Sequence, residues 1–219
     1  MKQKTSSPRA VVIADLVSSR AAVDRRLLHE RVVAVLGGAD RLGALSPLRV
    51  TVGDEFQGAF AGVGQALHAT LWLRLMLLTG EPGVDVRFGV GWGEVTEVDA
   101  AGGIEDGPAW WAARDAIVAV EAEAARGGLR HRRTAYRADP QAAVPGPDPA
   151  LVEALLVCRD QVAGPMSVRS ARLLLGLLEG RTQLELAESE GISASAVSQR
   201  VRGDGLAALL AAEQLLRGV

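Results

Sequence analysis

Hydrophobic positions change period several times along the chain, and each change marks an element. Residues 10–17 form a short, β-branched apolar run, the pattern of a buried strand ending near Asp15. From Asp24 on, Leu27, Leu28, Val32, Val33 and Leu36 recur at helical spacing until Gly37 and Gly38 stop them. Residues 48–52 alternate, Gly53-Asp54-Glu55 supplies a tight turn, and 56–60 returns, which is a hairpin with acids at its tip. A second helix is predicted over 64–78. A period-two strand follows over 84–98, bent or interrupted at Gly91 or Gly93. A third helix over 107–125 and a short closing strand over 132–137 complete the series. The order β-α-β-β-α-β-α-β contains the ferredoxin-like β-α-β-β-α-β unit.

Past residue 138 the pattern changes. Residues 139–149 have no apolar period and hold four of the nine prolines, the signature of a linker. After it, 151–162, 167–179, 183–190, 193–201 and 206–216 all read as short amphipathic helices. The expected class is α+β: a ferredoxin-like palm domain over 1–140, a Pro-rich linker over 141–149, and an all-α domain over 150–219 with a helix-turn-helix at 183–202.

Composition narrows the function classes. At 219 residues the chain is one large domain or two small ones, and 48% apolar with 23% charged residues excludes a disordered chain. A net charge of −2 excludes a strongly basic wrapper of nucleic acid and docking of the whole protein on anionic lipid. The single cysteine, Cys158, excludes an internal disulfide and a cysteine-rich zinc site; it reads as a small buried apolar residue. The most apolar stretch, 67–78, is short and contains His68 and Arg74, so no membrane span is expected. The N-terminal residues lack a secretory pattern, and a reducing cytoplasm is the expected location. Haem, flavin, zinc and iron–sulfur groups are not expected.

Two acids stand where strands should end. Asp15 closes the first apolar run and Asp54 sits in the hairpin tip. Burying a carboxylate at a strand end is costly unless it is paired or holds a cation. Carboxylates converging from neighbouring strands suit Mg²⁺ or Mn²⁺, which complete their shell with water and substrate phosphates. Ser18, Ser19 and Arg20 follow Asp15 and could hold phosphate. The competing reading makes Asp54 a turn residue and the Asp15 segment a strand end leading to a helix cap. Glu105 and Asp106 precede Gly107-Pro108 and read as N-capping acids. Trp110 and Trp111 read as packing residues of a core or a dimer interface. His29, His68 and His131 are scattered and point to no site.

The wording around these residues carries a resemblance. Val12-Ile13-Ala14-Asp15-Leu16 resembles the first metal-binding strand of class III nucleotidyl cyclases. The stretch from Arg49 through Gly53-Asp54-Glu55-Phe56 to Phe60 is similar to their hairpin, and its Gly-Asp-Glu-Phe to the GGDEF diguanylate cyclase signature. Val86 to Val95 looks like the strand that follows, and Gly107 to Arg114 like their helix start. A closer resemblance is to the SatD family. It rests on Asp15 with Ser19-Arg20, Gly53 to Gln57, Gly89-Val90-Gly91, and Asp106 to Ala109 with Ala113-Arg114.

The resemblance implies Asp15, Asp54 and Glu55 as metal ligands, with Mg or Mn as the ion. It implies Ser18, Ser19, Arg20, Gly53 and Gln57 for the nucleotide or phosphate, and Arg114 as the arginine acting on the transition state. Two positions depart from the cyclases: Trp110 replaces the expected asparagine, and Val50, beside Arg49, replaces the base-selecting lysine. Both losses remove hydrogen bonds to ribose and base, so metal and phosphate binding survive the comparison better than cyclisation does. Palm cyclases complete each site with two domains, which implies a homodimer.

The segment 183–202 reads as a helix-turn-helix. Ala187 allows close approach, Gly191 supplies the left-handed turn, Ser193 caps the second helix, and Val197 and Val201 face inward. Glu190 departs from the motif, which usually carries an apolar residue before the turn glycine. Ser193, Ser195, Ser198, Gln199, Arg200 and Arg202 are the candidate DNA contacts. Residues 148–219 nevertheless hold seven arginines against nine acids, a thin charge for DNA. Three readings follow: a SatD-like DNA-binding regulator whose palm binds a metal–nucleotide or phosphorylated ligand, a metal-dependent nucleotidyltransferase or cyclase, and an inactive palm serving as a dimerisation scaffold.

Overall fold

The first strand, β1 (Ser7–Leu16), is the centre of the sheet because both of its faces are apolar. Ala10, Val12, Ala14 and Leu16 enter the main core, and Val11 and Ile13 enter a second, smaller one. The structure is a computed structural model that describes residues 7–19, 24–99 and 103–219, with Asp40 described by its backbone only. Asp24 caps α1 (Arg25–Gly37), its Oδ1 accepting the Leu27 N–H at 2.9 Å. The hairpin β2 (Ser46–Val50) and β3 (Glu55–Phe60) follows, then α2 (Val63–Leu78) and β4 (Val86–Asp99). The sheet order is β2-β3-β1-β4, all antiparallel, which is the ferredoxin-like arrangement read from the sequence.

Two elements extend that unit. A short strand, β5 (Ile104–Asp106), pairs with the end of β4 and was not anticipated. After α3 (Pro108–Ala124), β6 (Thr134–Ala138) runs parallel beside Phe88–Trp92 of β4. Helices α1 and α2 cover one sheet face, over Phe56, Phe60, Phe88 and Val90; α3 covers part of the other, over Val11, Ile13 and Val95. Strand β4 is continuous through Gly91 and Gly93. Its glycines let α3 lie against the backbone: a Cβ on Gly91 would stand 2.1 Å from the Ala109 carbonyl oxygen, and one on Gly89 2.2 Å from that of Ala113.

The remaining helices are α4 (Pro149–Ala163), α5 (Val168–Leu178), α6 (Gln183–Glu190), α7 (Ala194–Gly203) and α8 (Leu206–Leu216). The apolar faces of α5 and α8 meet α2, and α6 and α7 pack on α5 and α8 in turn. Leu71 and Leu75 share a core with Leu173, Leu174, Leu186, Val197 and Leu209, while Val152, Leu156 and Leu216 enter the main core. Polar links reinforce the join. Arg159 of α4 donates to the Leu67 carbonyl at 2.9 Å and to the hydroxyls of Thr70 and Thr134 at 3.0 Å. Asp160 accepts the Arg133 and Thr134 N–H groups at 2.6 and 2.7 Å.

Candidate functional site

Asp15 lies at the C-terminal end of β1 and faces Arg87 across the antiparallel pair with β4. The register puts both on the sheet face that α3 covers. Arg87 holds Asp15 with two nitrogens, Nε to Oδ1 at 2.9 Å and Nη2 to Oδ2 at 2.8 Å. Its remaining terminal nitrogen reaches Glu121 of α3 at 3.0 Å. Burial pushes the Asp15 carboxyl above its ordinary pKa; Arg87 opposes this, and Glu121 and Asp54 reinforce it. Burial works against the Arg87 guanidinium too, yet Asp15 and Glu121 together leave its pKa raised. The acid therefore loses more to burial than one arginine returns, while the arginine gains from two acids.

Asp54 arrives from the β2–β3 turn. Thr51 N–H donates to the Glu55 carbonyl at 2.9 Å and Glu55 N–H to that of Val52 at 3.0 Å, while Gly53 takes a φ of 65°. The turn directs the Asp54 carboxylate at Ser19, whose hydroxyl donates to Oδ2. Ser18 is the one non-glycine residue of positive φ, 59°, among the described residues. Asp15, Ser18, Ser19, Asp54, Arg87 and Glu121 thus line one open cleft of about 350 Å³. A small pocket beside it, under α1, shares Ser19 and Asp54 and is lined by Gly53, Arg25 and His29 with Leu16, Leu28, Val32 and Val50.

Other sequence-predicted site residues lie elsewhere. Glu55 turns away from the cleft to Arg114, which donates to both of its oxygens at 2.6 and 2.8 Å. Gln57 sits two residues along β3, between Ile13 of β1 and Arg49 of β2. Arg20 lies outside the described residues. Cys158 is exposed, a correction to its reading as buried, because it stands on the outer side of α4 opposite Val152 and Leu156. Asp106 is not the helix cap, which falls on Gly107 with a φ of 133°. The carboxylate instead accepts the Gly107 N–H and Trp111 Nε1 at 2.7 and 3.0 Å. Glu105 pairs with Arg9 and Ser46, each at 2.8 Å. Trp110 joins the core under α3, whereas Trp111 is 60% exposed.

Residues that the sequence pattern did not single out are Arg87 and Glu121. Arg87 reads in the sequence as an outward polar position of an alternating strand; only the β1–β4 register brings it to Asp15.

The fit of a divalent ion can be tested on these contacts. Both oxygens of Asp15 are taken by Arg87, both of Glu55 by Arg114, and one of Asp54 by Ser19. Among the described residues no three acid, histidine or cysteine side chains gather closely enough to hold a metal. The three carboxylates, as arranged, do not fit the ion-binding centre that the resemblance implies.

In the C-terminal part, Gly191 takes a φ of 64° between α6 and α7, and Ile192 N–H closes the turn on the Ala187 carbonyl at 3.0 Å. Ser193 caps α7, accepting the Ala196 N–H at 3.2 Å, and its hydroxyl meets that of Ser195. Ser195, Gln199 and Arg202 are exposed and Ser198 is half-buried. Arg200 is engaged inside the bundle by Ser170 at 3.1 Å and Asp204 at 3.4 Å. Glu190 is held by Arg172 at 2.7 and 2.8 Å, which keeps its carboxyl below the ordinary pKa and accounts for an acid before the turn glycine.

The sheet order, the two helices on one face and the acid-lined cleft at the end of the central strand define a palm-like α+β protein. The SatD family model matches residues 10–216, and the chain belongs to the SatD family. Among solved structures, a bacterial light-regulated adenylyl cyclase matches with a TM-score of 0.47 and 14% identity, over 60% of this chain and 43% of that one. The chain thus spans less than half the length of that protein. The non-canonical dimeric guanylyl cyclase domain of the RhoGC fusion protein from the aquatic fungus Blastocladiella emersonii matches with a TM-score of 0.42 and 16% identity, over 52% of this chain and 75% of that one. The guanylyl cyclase Cya2 matches with a TM-score of 0.39 and 16% identity, over 53% and 72% of the two chains. No curated protein matches the chain. No helix among the described residues is long and apolar enough to cross a membrane.

Proposed function

We propose that the chain is a regulator that binds a nucleotide-type, phosphorylated ligand in the cleft at the end of β1 without turning it over. The observation that carries this reading is the two-pronged hold of Arg87 on Asp15. A phosphoryl-transfer centre needs its carboxylates free for Mg²⁺ or Mn²⁺. Here the acid is already neutralised, while Ser18 and the glycine turn at Gly53 still offer a hydroxyl and backbone to a phosphorylated molecule, and Ser19 can offer its own in exchange for Asp54. Asp15, Asp54 and Glu121 outnumber Arg87 in the cleft, so the ligand meets an acidic wall and has to be tried with and without a dication.

A thermal-shift series with ribonucleoside triphosphates and cyclic nucleotides, each with and without Mn²⁺, tests it alongside a chromatographic search for product. A ligand at about 100 times its Kd stabilises by roughly 2.7 kcal/mol. The expected result is a shift that Asp54→Asn reduces, with no product. Sustained product formation that Asp54→Asn abolishes would establish the cyclase or nucleotidyltransferase reading instead. No shift with any ligand leaves the scaffold.

A second reading concerns the output. The αL turn at Gly191 and the cap at Ser193 favour α7 as a DNA-facing helix. Its exposed candidate contacts are Ser195, Gln199 and Arg202; Arg200 is tied to Ser170 and Asp204. On this reading Arg202→Ala weakens binding to all sequences and lowers the salt slope by about one. An unchanged slope, or no retardation of genomic fragments at low salt, counts against it. A homodimer completes the proposal, and sedimentation equilibrium measures it.

A further inference from the structure

We infer that the hollow between the α4–α5 turn and the α7–α8 turn binds a small zwitterion of the amino-acid class with an aliphatic side chain. Arg200 takes its carboxylate, Asp204 its ammonium, and Val162, Pro165 and Met166 its apolar body.

The lining supports this first. The hollow has a volume of about 580 Å³, within the range of small-molecule sites. Arg200 and Asp204 are the charged residues that line it, one of each sign, beside the apolar wall of Val162, Pro165 and Met166. A carboxylate or an amine alone answers one of the two groups; a zwitterion answers both. The two charges are also held in place. The hydroxyl of Ser170, which is fully buried, donates to Asp204 Oδ2 at 2.5 Å and accepts from Arg200 Nη1 at 3.1 Å. One hydroxyl thus sets their spacing before a ligand arrives, which lowers the ordering cost of binding. Enough remains free for the ligand. Among the described residues Asp204 Oδ1 and Arg200 Nε and Nη2 have no hydrogen-bond partner, and a guanidinium can meet a carboxylate with two nitrogens. The side chains are 36% and 38% exposed and pair with each other at 3.4 Å, a contact that contributes little at the surface. Both groups sit at the end of α7, so an occupied site ties that helix to α4 and the α4–α5 turn.

The inference does not rest on the ligand reading of the palm, because none of these residues lines the cleft at the end of β1. Its probes are L-leucine, L-valine and L-methionine, titrated into the full chain by calorimetry. Isocaproate, which is leucine without the ammonium, and isoamylamine, which is leucine without the carboxylate, are the comparisons. L-leucine is expected to saturate and to bind at least about tenfold more tightly than either analogue. Arg200→Gln and Asp204→Asn are each expected to weaken it by about tenfold or more, while Arg217→Gln, another exposed arginine of the helical part, leaves it unchanged. The analogues use the wild type, so the test does not depend on any variant folding. In protein labelled at its methionine methyl groups, the Met166 resonance is expected to move with leucine and that of Met76 on α2 to stay. No saturable binding of any of the three amino acids at about 10 mM, an analogue that binds as tightly as leucine, unchanged affinity in folded Arg200→Gln, or a stationary Met166 resonance would each overturn the inference.

Discussion

Arg114 of α3 grips Glu55 at the start of β3 with both terminal nitrogens, tying the helix to the hairpin tip beside the cleft. The arginine side chain is half exposed and the acid less so. Exposed pairs contribute about 0–1 kcal/mol, so Arg114→Ala should cost no more than that, a shift of roughly 2–4 °C in Tm. If the arginine also meets a phosphorylated ligand, affinity should fall by about tenfold or more in both Arg114→Ala and Arg114→Lys, since lysine keeps charge but loses the fork. Calorimetric titration against the ligand found by thermal shift checks both parts. Unchanged affinity in Arg114→Ala would leave the residue a brace for the hairpin and nothing more.

The contact between β4 and α3 makes a sharper prediction. At Gly89 and Gly91 the helix backbone occupies the space of a Cβ, and backbone cannot yield as a flexible side chain does. Gly91→Ala should lift α3 and cost about 1–3 kcal/mol, as overpacking does. Gly37→Ala, where a Cβ would meet nothing within 4 Å, is the control and should be nearly neutral. Urea denaturation measures both. Equal costs at the two positions would contradict the close-approach account.

These elements also show what the sequence made legible. The hairpin was visible because alternation and the Gly-Asp turn are local signals, and β3 and α2 follow that reading within a residue or two. The glycines of β4 announced a special position, but read as a bend. Their purpose depends on a helix that begins 17 residues after Gly91. Asp15 and Asp54 stood out as acids at strand ends, and the fold brings both into one cleft. Their pairing with Arg87 and Ser19 could not be read, because it depends on cross-strand register and loop path over 72 and 35 positions. The same holds for Arg159, Asp160 and Glu213. On a helix pattern they look like solvated positions, yet each is at least 97% buried against a helix or strand from elsewhere in the chain.

Asp85 sets an expected pH dependence. Burial opposes its charge, but Arg74 at 2.7 Å and Arg133 at 2.6 Å overcome this and hold the carboxyl below its ordinary value of 3.8. A group with a depressed folded pKa contributes stability above its unfolded pKa and loses it as pH falls through the folded one. The contribution is therefore complete near neutrality and declines from about pH 5 downward. Asp85→Asn should be less stable than wild type at pH 7, and the gap should narrow as pH falls from about 5 to 3. Urea midpoints across that range test the sign. A gap that stays constant or widens in acid would show that the ion pairs with Arg74 and Arg133 do not stabilise the folded state.

The last prediction concerns how the C-terminal helices are held. Arg159 of α4 and Glu213 of α8 are each about 1% exposed in the side chain and lie 3.4 Å apart, and Glu213 also meets His68 of α2 at 3.0 Å. Removing one partner of a buried pair leaves an uncompensated charge and costs about 3–5 kcal/mol. Glu213→Ala and Arg159→Ala should each fall in that range, and the double variant should cost less than their sum, because the second change removes the charge the first one stranded. All four tryptophans, at 72, 92, 110 and 111, lie before residue 139, and Trp72 Nε1 donates to Glu179 at the end of α5, so their fluorescence reports the palm and its join to the helices, while far-UV circular dichroism reports every helix. With α4, α5 and α8 sharing a core with α2, the two signals should give one coincident transition in wild type. A separate helical phase, or additive single costs, would mean that the C-terminal helices fold on their own and that the buried pair does not couple them to the palm.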